Sequence, residues 1–502
     1  VSRSDKDRGW IDHIDSRMQV DKTAMVPEPA LEKMEDYFYF CRMVDEKLFV
    51  FYVARNSKEN KYTLYGQEIN KSALEVTGQL QELMTVSYVI HDGFYRPPYW
   101  DSYFTSHYMK YKSGLGPYWQ TLSDSPFSSY PSPDGSKLLV LSRVVEPGSN
   151  KKESKEIVYR LTVFTTDLQK TLDREIRVKC SPALFSLEQL TLDDKGNILM
   201  IGKEFQELSV AKQSWRDGKI HYKYHLYRFA IDDENDIVID LKGKFIRDIR
   251  AGLAPNGDVI VCGFFSDSPS YIYSMRGAFY MSLDPKTNDV KVQNSSEFDT
   301  NFITQYLTEK EKKREKKKER KGFEPGIANL RMDELLVKTD GGAVIISEQY
   351  YYIRNTGSKT SSTYYIFNDI LVMHFLPDGS LSWKCKIPKR QLSASDNGYY
   401  SSYAYAAVGD KLYFIYNDNP KHLLIKPGEN FYPFVGWSGP LDYAVVLVEV
   451  DENGKTTREL LKASIIGDVL IRPSKSEQTG SNEMLICGQR KKAYQFSKVT
   501  FK

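Results

Sequence analysis

The residues that could carry chemistry are few, and each sits in a context that argues for something plainer. His221 and His225 stand four apart, the spacing that on a helix presents two imidazoles to one zinc ion. Their run, His221-Tyr-Lys-Tyr-His-Leu-Tyr-Arg-Phe229, reads as a strand, and no further ligands are advertised, so both are expected to be ordinary strand residues. Asp232-Asp-Glu-Asn-Asp236 and Asp451-Glu-Asn-Gly454 are rich in oxygen but lack the twelve-residue calcium-loop register, and they fall where hairpin turns belong. Gly436-Trp-Ser-Gly439 breaks the spacing of a nucleophile elbow. Neither a phosphate loop nor a dinucleotide fingerprint is present. Ser132-Pro-Asp-Gly135 and Pro377-Asp-Gly-Ser-Leu-Ser-Trp383 approach the aspartate boxes of sialidase propellers, yet their Asp and Gly are adjacent and no arginine triad is evident. The expectation is a chain with no catalytic residues, no metal and no cofactor.

The five cysteines (Cys41, Cys180, Cys262, Cys385, Cys487) form no C-x-x-C pair, and their odd number leaves at least one unpaired. Cys262 and Cys487 occupy the same point of two repeats and read as small core hydrophobes. A net charge of +3 gives no general attraction to nucleic acid.

Aromatic residues are the unusual part of the composition. Residues 88–130 and 350–405, 99 positions in all, hold 17 of the 35 tyrosines. Tyrosine mixed with Ser, Gly and Asn is the chemistry of adaptable recognition surfaces, although such loops can equally cap a channel. The candidate contact surface is Tyr95, Tyr99, Trp100 and Tyr103 in the first window with Tyr399, Tyr400 and Tyr403 in the second.

What must position these loops is a repeat. Lys338-Thr-Asp-Gly-Gly-Ala-Val-Ile-Ile346 joins a glycine turn to an apolar, β-branched run. The phrase recurs at Ser132–Gly135 before Leu138–Leu141, at Asp193–Gly196 before Ile198–Ile201, and at Ala254–Gly257 before Val259–Cys262. It returns at Val408–Asp410 before Leu412–Ile415, with weaker copies at Val44–Lys47 and Thr479–Ser481. From Gly135 the turn glycines are spaced by 61, 61, 84, 68 and 71 residues. Regular self-similarity is the mark of a repeat architecture. An inner apolar strand after each turn, a middle strand such as Ala444–Val450, a tight hairpin and a polar outer strand make one β-propeller blade.

The expected fold is therefore all-β, a single β-propeller over residues 37–502; seven blades fit best and six also fit. Residues 1–36 are expected as an extended arm, with insertions at about 88–130 and 300–325. The last copy stops early, so an N-terminal strand is expected to complete its blade and close the ring. The second insertion holds thirteen consecutive charged residues, Glu309 to Lys321, whose Glu–Lys spacing suits an exposed helical hairpin or a disordered loop. A basic contact with an anionic surface is the alternative.

Leu335–Tyr352, Lys386-Ile-Pro-Lys-Arg-Gln391, Asn397-Gly-Tyr-Tyr-Ser-Ser-Tyr403 and Asp410–Asp418 together resemble uncharacterised exported propeller-like proteins of Bacteroidota-type bacteria. The resemblance is strongest over residues 330–420 and implies a propeller and an envelope or periplasmic location; it supplies no catalytic residues. No apolar run approaches the ~20 residues of a membrane helix. The first residue, Val1, is consistent with a removed export signal. The function expected is a non-enzymatic extracytoplasmic scaffold or accessory subunit that binds protein partners in the cell envelope, such as an outer-membrane complex. The alternative is a glycan-binding or glycan-cleaving propeller that uses the aromatic residues as a platform.

Overall fold

A computed structural model describes the chain apart from residues 1, 6–7, 28, 30–35, 57, 60, 88–126, 145–155, 182–183, 207–219, 231–232, 268–273, 321–324, 357–360, 397, 425–431, 437–442, 464–469 and 491–492. The chain is all-β and of β-propeller type: seven sheets of blade topology follow one another in sequence. They divide between two compact units. The first (residues 1–213 and 221–240) holds three blades, whose strands span Asp36–Ser87, Phe127–Val178 and Phe185–Ile239. The second (214–220 and 241–502) holds four, starting at Phe245, Leu330, Ala404 and Leu470.

Six of the seven blades contain four antiparallel strands in meander order. This corrects the reading from sequence. A strand precedes each glycine turn, for example Phe185–Leu192 before Ile198–Phe205, so the apolar strand is second in its sheet. Flanked by a strand on either side, it is buried on both faces: every residue of Val259–Ser266 is buried. That explains the unbroken apolar runs.

The turns are one structure used repeatedly. At Gly196, Gly257 and Gly341 the glycine N–H donates to the carbonyl three residues back, those of Asp193 (3.1 Å), Ala254 (2.8 Å) and Lys338 (3.1 Å). All three glycines have left-handed φ near +90° (+96°, +92° and +92°). This three-residue hairpin suits strands with a right-handed twist.

First strands carry a second recurring device. The ladder skips one residue at Glu188, Arg247 and Asp333, each within an apolar-polar-polar-apolar quartet: Leu187–Leu190, Ile246–Ile249 and Met332–Leu335. Such a bulge bends the strand and re-aims the extra side chain.

Residues 1–36, expected as an extended arm, contain three strands that pair with one another: Ser2–Asp5, Arg8–Ile14 and Val20–Met25. Asp15 closes the second hairpin by accepting from the N–H groups of Arg17 and Gln19 (2.9 and 2.8 Å). Ile11 and Val26 pack with Val50, Tyr52, Ile69 and Leu74 of the first blade. Among the described residues these strands pair with one another, not as the expected completion of the last blade. A local hairpin costs less loop-closure entropy than pairing across the whole chain. Within the second insertion the charged run forms an exposed helix, Glu309–Glu319. It starts at a capping box: Thr308 Oγ1 accepts from Glu311 N (3.3 Å), and Glu311 Oε2 accepts from Thr308 N (2.8 Å).

Two glycines separate backbone conformation from packing. At Gly341 a Cβ would meet nothing closer than 4.0 Å, so Gly341→Ala is expected to cost only the left-handed penalty of about 1–2 kcal/mol. At Gly263 the same atom would lie 2.3 Å from the Asp248 carbonyl oxygen and 2.4 Å from the Phe279 ring. Gly263→Ala is expected to cost more in urea denaturation; an equal or smaller loss would contradict the packing.

Candidate functional site

The fifth blade departs from the others. Its second and third strands, Ala343–Thr356 and Ser361–Phe375, run 14 and 15 residues, about twice the length of their counterparts. The outer strand, Leu381–Ile387, covers only the half formed by residues 370–375. Pro388 has no N–H to continue the ladder, which is interrupted over residues 388–390. It resumes as Gln391–Ala394, which pairs with Tyr364–Phe367 on the other half. Phe434–Val435 then adds in parallel.

The interruption coincides with a bulge between Glu348 and Tyr350, and it is held by charges. Lys389, fully buried, places Nζ 2.6 Å from Glu348 Oε1 and donates to Gln391 Oε1 at 3.0 Å. Arg390 pairs with Asp369, which also accepts from Lys389 N (3.2 Å). Burial pushes the Glu348 carboxyl above its usual range; the adjacent Lys389 charge opposes that and Asp333 adds to it.

From here a hydrogen-bonded chain runs through the next two blades. Ser402 donates from Oγ to Glu348 Oε2 (2.8 Å) and from its backbone to Gln391 Oε1 (2.7 Å). Those bonds hold Ser402 at φ +69°, a strained value for a non-glycine residue. Gln391 Nε2 reaches the Asn417 carbonyl (2.8 Å), and Asn417 Nδ2 reaches the carbonyls of Tyr400 and Ile471 (2.8 Å each).

A second buried group lies in the sixth blade. Asp418 and His422 are both fully buried, with Oδ1 and Nδ1 2.7 Å apart. His422 Nε2 accepts from Tyr432 N at 2.9 Å, which fixes a neutral ring whose Nδ1–H donates to Asp418. This resembles the base and orienting carboxylate of a hydrolase, but the nitrogen that would take a proton is already occupied. Arg458 sits 3.6 Å from Asp418 Oδ2 and donates to Tyr416 Oη (2.8 Å) and to the Pro388 carbonyl.

Of the sequence candidates, Tyr95, Tyr99, Trp100 and Tyr103 lie outside the described residues. Tyr399 and Tyr400 are half-buried, edge to face at 4.9 Å. The Arg472 guanidinium lies 3.7 Å above the Tyr399 ring, and both residues donate to Gln489 Oε1 (2.6 and 2.7 Å). Tyr403 is buried: it packs on Phe414 at 5.4 Å and its hydroxyl donates to Asp333, the bulge residue. The structure thus joins Tyr399 to Tyr400 and turns Tyr403 inward. Glu348, Lys389, Asp369, Asp418 and His422 were not anticipated. The faint signal was Lys386–Gln391, a run of cations directly after a strand.

The remaining candidates resolve locally. His225 donates to or accepts from Asp236 Oδ1 (2.8 Å) at Nδ1 and Glu204 Oε2 (3.1 Å) at Nε2, so neither nitrogen is open to a metal. Asp451 Oδ1 accepts from Asn453 N (3.0 Å) and Lys455 N (2.8 Å) and closes a turn. Among the described residues no group of His, Cys, Asp and Glu could hold a metal ion, and no helix is long and apolar enough to cross a membrane.

No protein-family profile and no curated protein matches the chain. Solved structures do resemble it. The polysaccharide lyase Uly1 is 8% identical over 92% of this chain and 89% of its own (TM-score 0.38). The WD40 domain of SCAP from fission yeast is 8% identical over 93% and 95% (0.34). A DUF4221 family member from Bacteroides vulgatus is 10% identical over 77% and 89% (0.28). Likeness at this level says nothing of activity; the propeller assignment rests on the strand pairing.

Two variants test the charges. Lys389→Met strands a buried carboxylate and is expected to lose about 3–5 kcal/mol in denaturant unfolding, with much of the loss recovered by adding Glu348→Leu. A small loss would mean that the pair is solvated. For His225, the Asp236 hydrogen bond, then the charges of Asp236 and Glu204, raise the imidazole pKa against the opposing effect of burial. The stability it confers is complete below the ordinary value of 6.5 and is lost as pH rises through the higher folded-state value. The gap in melting temperature between the native chain and His225→Gln is expected to shrink from about pH 5.5 to 8.5.

Proposed function

We propose that the chain is a non-enzymatic, extracytoplasmic propeller that acts as a scaffold or accessory protein-binding subunit of a cell-envelope complex. The observation that carries this reading is that the groups best suited to acid–base chemistry are spent on the fold. Both Glu348 oxygens are engaged, by Lys389 and Ser402, and His422 Nε2 is occupied by a backbone N–H. A general base needs a free lone pair within reach of substrate. The charged interruption of the fifth blade instead builds a rigid mount for the loop that carries Tyr399 and Tyr400, and tyrosines held this way suit protein recognition. The envelope location rests on the resemblance of residues 330–420 to exported propellers.

A glycan-binding or glycan-cleaving propeller is the second reading. It draws on Asp333, half-buried beside Tyr403 and Tyr405, whose phenol is pushed well up by burial and by Glu334 and Asp333. Photo-crosslinkers placed at Tyr99 and Tyr400 in the native host separate the two. The scaffold reading expects both positions to capture the same envelope protein. If the purified protein instead degrades an envelope or dietary polysaccharide, and Glu348→Gln abolishes this without unfolding, the scaffold reading is wrong.

A further inference from the structure

The charged helix Glu309–Glu319 follows a segment pinned to the fifth blade by two lysines of its outer strand, Leu381–Ile387. Lys384 lies 3.1 Å from Asp299 Oδ2, and Asp299 caps the short helix Thr300–Thr304 by accepting from Phe302 N (2.9 Å). Lys386 is buried and donates to the carbonyls of Phe302 and Ile303 (2.7 and 3.2 Å), near the other end of that helix. Phe302 and Ile303 pack in the core with Phe264 and Phe298. Four residues separate the two helices, and the capping box on Thr308 starts the second. The charged helix is thus held out from a buried anchor.

Its charges are sorted around the axis. At about 100° per residue, Lys310, Lys313, Arg314, Lys316, Lys317 and Arg320 fall in one sector about 160° wide, and all six are exposed. Glu309 shares that sector and is paired with Lys312 at 3.1 Å. Glu311, Glu315 and Glu319, at four-residue spacing, form the opposite stripe, with Glu311 and Glu315 half-buried. Among the described residues none of the six cations has an ion pair or a side-chain hydrogen bond. Glu309 to Lys321 carries nine cations against four glutamates, while the whole chain is only +3; the remaining residues are therefore net acidic, at −2.

We propose that this face docks the protein on the phosphate-bearing surface of an anionic lipid bilayer. Glu309 to Lys321 holds no apolar or aromatic residue. The face therefore lacks the aromatic anchors of a protein interface, the rings that stack on bases and the side chains that insert among acyl chains. What it offers is unpaired positive charge over a length of about 15 Å, which a fluid array of headgroups matches without a fixed geometry. The acidic remainder of the chain is repelled by the same surface, so attraction is confined to the helix. This docking rests on the envelope location proposed above, which puts a bilayer within reach. The crosslinks at Tyr99 and Tyr400 do not involve the helix, so either reading can fail alone.

Co-sedimentation of the full chain with vesicles of phosphatidylcholine containing about a third phosphatidylglycerol tests it. The chain is expected to bind these vesicles, to ignore pure phosphatidylcholine, to dissociate as salt rises, and to show slowed amide exchange over residues 309–320 when bound. Each cation near an anionic bilayer changes binding about fivefold, so Lys313→Gln, Lys316→Gln and Lys317→Gln together are expected to weaken it about a hundredfold at an unchanged melting temperature. The same exchange at Lys195, Lys286 and Lys455, exposed at hairpin turns, is expected to leave binding almost unaltered. The salt, lipid and exchange readouts need no variant, so they decide the matter even if a triple variant misfolds. The proposal is overturned if the native chain binds pure phosphatidylcholine equally well, if amides 309–320 stay unprotected, or if the two triple variants lose binding alike. It is equally overturned if random duplex DNA binds more tightly than the vesicles at the same salt, which would make the face a nucleic-acid site.

Discussion

Three buried charges and the half-buried Arg390 meet at one interruption of the fifth blade's outer strand. Lys389 and Arg390 leave the fifth blade's outer strand at a point where Glu348 and Asp369 are forced inward by a bulge. Desolvating these groups is expensive, and only mutual pairing with further hydrogen bonds offsets the cost. A ladder without this one-residue shift would leave a carboxylate or an ammonium alone in the core, so the interruption is specified by exclusion more than by attraction. The positions of Ser402, Gln391, Asn417 and the Tyr399–Tyr400 pair follow from it through directional bonds.

An Asp–His pair, a buried Glu beside Ser and a Lys in contact with carboxylate all recur in active sites. Here His422 Nε2 accepts from a backbone N–H, and both Glu348 oxygens take part in the fold. In a propeller the blade cores are interchangeable, and individuality comes from the irregular connections. Those connections need polar groups to satisfy their unpaired backbone, which gathers the same residue types that catalysis uses.

The blades were legible in the sequence because their signals are local. A glycine at left-handed φ followed by four β-branched or apolar residues marks Gly196, Gly257 and Gly341 without reference to the rest of the chain. The first strands were missed because their bulges break the period: Leu187-Glu-Gln-Leu190 and Met332-Asp-Glu-Leu335 place two polar residues where alternation calls for one. The buried network was illegible because its partners are far apart in the chain. Ser402 meets Glu348 across 54 positions and Tyr403 meets Asp333 across 70, and no local pattern encodes such pairs. Tyr403 was read as surface for the same reason: its type suits an interface, and only its distant partner shows that it faces inward.

The six-blade repetition of near-neighbour hairpins has a kinetic meaning. Most strand pairs join segments separated by a short turn, so a blade gathers its contacts within a few dozen residues, and local topologies of this kind close quickly. The polar network at the fifth-blade interruption is the exception. It joins Gln391 to Asn417 and Asn417 to Ile471, residues of three successive blades. Synthesis from the ribosome delivers Glu348 and Asp369 well before Asn417 and Ile471, leaving a nascent chain whose completed blades wait on a late polar closure.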